Sequence, residues 1–354
     1  MSNSMDSFSV INSSQQINRV TAVWGFSEAA FGGILHALHI PLTGLFVGGA
    51  AVIFISLIAH YSQNKNQILR STITVIIIKA IISPYTPLTA YLAVALQGVF
   101  GYLFFKFIKI EKAAAFLLGI TSLLYSAMQK LIILTLVFGE SLWNSINQFT
   151  AFIFMQFGLN KEVVPANISL ILIFLYAGIH VIGGFYFGIT AANIPVLIKK
   201  QNIFYQELNL FHVKESDLFE KKKNAKKKWY RKPTGIFFIM LSIGFMIGTY
   251  LSPELDTDGS ISILVMLIRA FLITFIWFSV LSPLILKKFN RIIEKKKFEK
   301  ASELNAITSL FPDFKMIINY CWKKNSNLKG IKRINNFIRC SLYLLLTPEV
   351  KING

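Results

Sequence analysis

The sequence predicts an all-α fold, a polytopic membrane helix bundle. Three observations carry that prediction. The 354-residue chain is 54% hydrophobic and only 15% charged, whereas soluble domains are about 45–50% apolar and about 25% charged. Its mean hydropathy is +0.56. Its apolar residues gather in runs of the length a membrane helix needs, about 20 residues. Most of the chain lies in those runs, which excludes a water-soluble enzyme carried on a membrane tail.

Residues 1–18 are polar, rich in Ser, Asn and Gln. No basic segment precedes a short apolar core, so this is not a cleaved signal but a disordered or interfacial lead-in. Eight candidate spans follow, at roughly 20–38, 42–60, 71–83, 88–108, 113–138, 166–198, 235–252 and 261–286. The third is short and polar-flanked, as a broken or tilted helix is. Between the fifth and sixth, residues 140–167 are amphipathic. Trp143, Phe149, Phe152, Phe154 and Phe157 predict an interfacial helix there.

The 36 Lys and Arg residues outweigh 17 Asp and Glu, a net charge of +19. Such a charge is one mark of nucleic-acid binding. Here the lysines flank apolar runs, the pattern of cytoplasmic loops, so no nucleic-acid partner is expected. The basic connections are 65–70, 106–112, 199–232 and everything after 287; those at 39–43, 83–87, 139–165 and 253–260 carry few basic residues. The two sets alternate. The positive-inside rule then puts both termini of this multi-pass protein in the cytoplasm, and the abundance of Lys, Asn, Ile and Phe fits an AT-rich bacterial genome, hence a bacterial plasma (inner) membrane. Cys321 and Cys340 are too few for a disulfide framework, and in a cytosolic tail they are expected to stay reduced.

These features divide the chain into a lead-in at 1–18, a six-span membrane domain at 19–200 and a basic cytoplasmic linker at 201–233. A two-span hairpin at 234–290 and a basic amphipathic cytoplasmic tail at 291–354 follow. In the tail, Phe311, Phe314, Ile317, Ile318 and Cys321 recur at helical spacing, as do Ile331, Ile334, Phe337 and Ile338. Gly330 separates these two helices. They either lie flat on the inner leaflet or dock a partner.

Several residues within the spans require a reason. Gly25, Ala29, Gly33 and Ala37 form a small-residue ridge at four-residue spacing, built for close helix approach within the chain or against a separate subunit. Glu28, in the same span, is expected to be protonated, paired or in a cavity. His36 and His39 share one face if the helix reaches that far. They are a solvated pair, a solute contact or two ligands of a transition metal. Lys79 snorkels, binds an anionic group or pairs with Glu28. Tyr85 lies in the rigid connection at 83–87. Gln97, Gln129 and His180 fall in later spans, as interhelical glue or as a polar lining. Arg269, in the last span, is expected to meet a carboxylate or carbonyl. The chain has no GxxxxGK[ST] phosphate loop, HExxH, GxSxG or CxxC, so neither an enzyme nor a cofactor is expected.

The first half resembles the membrane-embedded substrate-binding (S) components of energy-coupling factor transporters. The resemblance lies in the six spans, the small-residue ridge, Gly44-Leu-Phe-Val-Gly-Gly49 and the stretch from Ser83-Pro-Tyr-Thr-Pro87 to Gln97-Gly98, within about residues 20–198. It implies an outward-facing cavity for a vitamin or metal ion, coupled to a transmembrane T component and separate ATPase subunits. It also implies that Gly25, Ala29, Gly33 and Ala37 dock the T component. His39-Ile40-Pro41 resembles the His-Ile-Pro of the cobalt and nickel members, which have it at the chain start. In the tail, Lys329-Gly330 partly resembles the Ala-Arg-Gly signature of T-component coupling helices. A fusion and a private accessory domain both remain open.

The expectation is therefore the solute-binding component of an ATP-driven uptake system, its cavity lined by Glu28, His36, Lys79, Tyr85, Gln97, Gln129 and His180. Lys79 would meet a carboxylate or phosphate of the solute. The alternative is a non-transport membrane scaffold whose basic C-terminal helices recruit partners or anionic membrane lipid.

Overall fold

The computed structural model describes residues 2–31, 42–83, 86–157, 167–201 and 259–346. The expected span at 235–252, the linker at 201–233 beyond Gln201, and residues Gly33, His36, Ala37, His39 and Tyr85 lie outside the described residues.

Among the described residues there is no strand. The helices are α1 (Ser2–Phe26, continued by a π-helical turn, Ser27–Phe31), α2 (Thr43–Tyr61), α3 (Asn66–Ile82), α4 (Leu88–Phe107), α5 (Glu111–Phe138), α6 (Glu140–Gln156) and α7 (Ile168–Gln201). Then come α8 (Gly259–Ile276, continued by a π-helical turn, Trp277–Leu281), α9 (Ser282–Glu299), α10 (Ala301–Thr308), α11 (Phe311–Lys324) and α12 (Gly330–Leu346). Among the described residues, five segments are long and apolar enough to cross a membrane: α2, α4, α5, 168–195 in α7, and 264–299 across α8 and α9. The protein is an all-α membrane helix bundle. Of the two readings of the lead-in the disordered one is corrected: residues 2–18 are helical, the first part of α1. No Gly or Pro interrupts the chain before Gly25, so nothing forces the helix to begin at Val20.

By its contacts the chain separates into two units, and the division differs from the one expected. The first comprises residues 1–126, 180–219 and 292–354; the second comprises 127–179 and 220–291. The first unit holds the bundle. Thr21 faces Ser71 and Glu28 faces Lys79, so α1 and α3 run parallel. Gly98 faces Thr72, and the Tyr91 hydroxyl donates to the Ser83 carbonyl, so α3 and α4 run antiparallel. Gly48 lies beside Gln97 and Gly101 beside Ile55, which makes α2 parallel to α4. Gly44 packs on Ser126 and Gly48 on Leu123, which makes α2 antiparallel to α5. This up-and-down alternation is what successive spans with short connections must show.

Gly119 of α5 meets Gly184 and Gly188 of α7 backbone to backbone. A Cβ on Gly188 would lie 2.9 Å from the Phe116 Cα and one on Gly184 2.8 Å from the Ile120 Cα. Bare glycine at 184 and 188, four residues apart, lets the two helices touch, as small-residue motifs do between membrane helices.

The tail also belongs to the first unit. Leu304, Ile307, Phe311, Phe314, Ile317, Tyr343 and Leu344 are buried in one core with Ile17, Val20, Val23 and Trp24 of α1. Phe26 packs on Phe311 with ring centroids 5.7 Å apart, and the Arg19 guanidinium donates to the Leu345 carbonyl at 3.0 Å. The α11 face expected to meet lipid or a partner, Phe311, Phe314, Ile317 and Cys321, therefore closes over the chain's own core, whereas on α12 the expected Ile334 and Ile338 are exposed and Tyr343, Leu344 and Leu345 are buried instead. A second correction concerns the cysteines: Cys321 and Cys340 form a disulfide where free thiols were expected. Helices α11 and α12 make an antiparallel hairpin about the turn at 325–329, and this brings the two Cα atoms to 5.8 Å, within disulfide range.

In the second unit, α8 packs against α6. Buried Arg269 of α8 places its guanidinium against the backbone of Gly139, whose positive φ of 72° turns the chain from α5 into α6. Phe149, Phe152 and Phe157 of the expected interfacial helix are exposed.

Candidate functional site

The site is a polar seam between the parallel helices α1 and α3, inside an otherwise apolar core. At one level the hydroxyls of Thr21 and Ser71 hydrogen-bond at 2.9 Å, both buried. One turn on, the Gly25 position is filled from the other side by Ile78: a Cβ there would meet the Ile78 Cδ1 at 2.9 Å. Ala29 is buried as well. The small residues that were expected to dock a subunit are thus, at Gly25, in contact with the chain's own α3. That close approach is what lets the next pair of side chains reach across.

That pair is Glu28 and Lys79. The ammonium donates to the Glu28 Oε2 at 2.7 Å, and both side chains are buried. Glu28 sits in the π-helical turn Ser27–Phe31, where the backbone hydrogen bonds change register. Such turns occur often at functional sites. Of the readings open for Lys79, the structure selects pairing with Glu28. A lone charge at this depth would need desolvation worth several kcal/mol, so neither residue would tolerate loss of the other.

Elsewhere in this unit the Trp24 Nε1, the Gln97 Oε1 and the Ser122 Oγ are buried without a hydrogen-bond partner among the described residues, and the Gln97 amide lies against Gly48 of α2. Trp24 lies one turn before Glu28 on α1. Gln97 follows from the antiparallel register of α3 and α4. Thr72 opposes Gly98, so Lys79, two turns along the same face, is level with Tyr91. Gln97 then lies about 9 Å along the axis from the ion pair. His180 is fully buried on α7. Gln129 belongs to the second unit.

Of the seven expected lining residues, the structure joins Glu28 and Lys79 directly. It sets Gln97 two turns away on the adjacent helix. Trp24, Thr21 and Ser71 were missed. Ordinary apolar and small polar residues at helical spacing carry no sequence signal of their own; only their register with Glu28 and Lys79 marks them. No group of three or more metal-ligating side chains occurs among the described residues, and the expected ligands His36 and His39 lie outside them.

Among the described residues, two cavities lie at the other end of the bundle, and none of the expected lining residues contributes to either. The larger, about 660 Å³, lies between the α2–α3 and α4–α5 turns. The smaller, about 250 Å³, is bordered by Ser14, Tyr61 and Arg70. No protein-family model matches the chain, and no curated protein or solved structure is significantly similar to it.

Proposed function

We propose that this chain is the membrane-embedded solute-binding component of an ATP-driven uptake system for a vitamin or another small solute. In this reading its basic end faces the cytoplasm of a bacterial cell. The observation that carries the reading is the Glu28–Lys79 pair, 2.7 Å long and buried between two helices. Ionisable residues inside a membrane protein are rare because they are expensive, and they mark solute or ion pathways. A solute carboxylate or phosphate exchanges with Glu28 for Lys79, and the number of buried opposite charges stays balanced only if Glu28 takes up a proton or a solute amine. Trp24 and Gln97 offer one donor and one acceptor that have no partner among the described residues. Buried polar groups of this kind are normally satisfied, by water or by a ligand.

The partners in this reading are a T component and ATPase subunits. The turn at Lys329 and Gly330 is open to them: a Cβ on Gly330 would meet nothing within 4 Å. The test is purification of the full chain from its native membrane in mild detergent, with mass spectrometry of bound proteins and small molecules. Expected are co-purifying T-component and ATPase subunits and a retained solute that is lost in Lys79→Met/Glu28→Leu, a variant that keeps the seam filled without charge. A chain that emerges alone and without solute supports the second reading, a membrane scaffold. The observation favouring that reading is the tail, which packs on α1 and leaves Trp322, Ile334 and Ile338 exposed beside Arg333 and Lys323.

A further inference from the structure

We infer that the 660 Å³ cavity between the α2–α3 and α4–α5 turns holds the phosphate headgroup of an anionic phospholipid. The inference does not depend on the solute reading. It starts from position. Helices α2 and α4 are each long and apolar enough to cross a membrane, they run parallel, and both end at this cavity. The cavity therefore opens at a bilayer surface, where phosphates lie.

Charge comes next. Lys65, Lys106 and Lys109 line the cavity, against one carboxylate, Glu111. Glu111 is already engaged: the His60 ring nitrogen lies 3.0 Å from its Oε2 and Lys65 4.0 Å from its Oε1. Lys65 uses two of its three hydrogens on the Ala59 and Ser62 carbonyls, at 2.6 and 3.1 Å. It is fixed in place as a charge more than as a donor. Lys106 donates one hydrogen to the Tyr102 hydroxyl at 2.7 Å, and its ammonium lies over the Tyr102 and Phe107 rings at 4.9 and 5.6 Å, which leaves two hydrogens outside hydrogen bonds. Lys109 makes no hydrogen bond or ion pair with a described residue. Five ammonium hydrogens on Lys106 and Lys109 thus remain for an anion, counting two and three, and the net charge of the wall is positive. A volume of this size falls in the range of small-molecule sites. The amides of Asn64 and Asn66 on the same wall suit headgroup hydroxyls.

The third observation selects a lipid over a soluble phosphate. Val99, Leu103 and Phe107 are exposed at i, i+4 and i+8 on α4, one apolar stripe that runs up to the lysines. Phe107 and Ile110 are 71% and 67% exposed directly beside Lys106 and Lys109. In a membrane this stripe meets acyl chains while the adjacent lysines reach the headgroup. A free phosphate makes no use of it.

The test uses the full-length chain, delipidated in detergent. Native mass spectrometry would then follow titration with phosphatidylglycerol, phosphatidylcholine or glycerol 3-phosphate. We expect a discrete phosphatidylglycerol adduct, weaker phosphatidylcholine binding, and loss of affinity by roughly fivefold per lysine removed in Lys106→Gln and Lys109→Gln. The variant K106R/K109R keeps the charge and should keep the adduct. A melting curve without lipid checks that each variant is folded, and Lys295→Gln/Lys297→Gln, on the exposed face of α9, controls for general attraction. Equal loss in that control and in the cavity variants would overturn the site. So would full retention of the adduct in a folded K106Q/K109Q. Equally tight binding of glycerol 3-phosphate would overturn the lipid and make a soluble phosphate the occupant.

Discussion

Three lysine–glutamate pairs in this molecule have nearly the same length and sit in different surroundings. Glu28–Lys79 measures 2.7 Å with side chains 2% and 7% exposed. Lys300–Glu303 measures 2.9 Å with 19% and 34% exposed. Lys296–Glu299 measures 2.6 Å with 46% and 43% exposed. The shortest is the most exposed. Distance therefore says little about what each pair does; solvent decides it. In water the attraction of two charges at contact is about 1 kcal/mol, and it grows several-fold as the surroundings become less polar, together with the penalty for leaving one charge alone.

The comparison can be broken at each pair in turn. Lys79→Ala leaves a buried carboxylate unpaired and should destabilise the folded chain by about 3–5 kcal/mol. A thermal melt or expression level in detergent reads this directly, and the paired apolar variant Lys79→Met/Glu28→Leu should recover most of it. If Lys79→Ala melts like the parent, the seam is wetter than its burial implies.

The tail provides the next step, because its docking on α1 rests on apolar burial and one covalent link. Cys321→Ala/Cys340→Ala opens a loop with a sequence separation of 19 residues, for which chain-entropy arguments give about 3 kcal/mol. Faster tryptic cleavage within 301–346 is the expected readout. Alkylation should label both cysteines only after reduction and denaturation; labelling of the untreated protein would mean that the link is absent in the cell.

At the middle pair, Glu303 also accepts a hydrogen bond from Thr74 at 2.9 Å, and Lys300 donates to the same hydroxyl at 3.1 Å. This small network ties α10 to α3. Glu303→Ala should weaken tail docking by about 1 kcal/mol or less, given its partial exposure. Lys296→Ala, at the exposed pair, should change no melting temperature measurably. A larger effect there than at Glu303 would reverse the ranking by burial.

A last test uses pH. Burial pushes the Asp313 carboxyl up from its usual range, and Arg19 only partly offsets this. A carboxyl whose folded-state pKa is raised stabilises the fold below its unfolded pKa and loses that contribution as pH rises through the folded value. Tail docking should therefore loosen slightly as pH climbs from about 4, measured as protease sensitivity of the tail. Asp313→Asn should remove the slope.

The fold class was readable because it depends on composition and run length alone. Twenty apolar residues in a row have only one way to satisfy their backbone in a bilayer. The up-and-down order of α1 to α5 follows from successive spans with short connections, which the sequence also shows. Glu28 and Lys79 were visible as candidates because a charge among apolar neighbours stands out in a sequence, and pairing was among the options that chemistry left open. Thr21, Trp24 and Ser71 were not visible. They belong to the seam only because α1 and α3 run parallel in one register.

The tail teaches the same lesson at larger scale. The buried face of α11 was legible from the spacing of Phe311, Phe314 and Ile317; on α12 the stripe read through Ile334 and Ile338 is exposed and Tyr343, Leu344 and Leu345 are buried. The surface these helices cover was not legible, since an apolar stripe states that it must be buried and not against what. The sequence by itself determined a membrane helix bundle, its alternating charge and Glu28 and Lys79 as charges set among apolar residues, all properties of local composition. Tertiary structure alone decided that Glu28 meets Lys79, that Gly184 and Gly188 touch Gly119, that the tail closes on α1 and that Cys321 meets Cys340. Each of these joins residues distant in sequence. Their distance is set by how whole helices pack, a balance over many weak contacts that no single segment encodes.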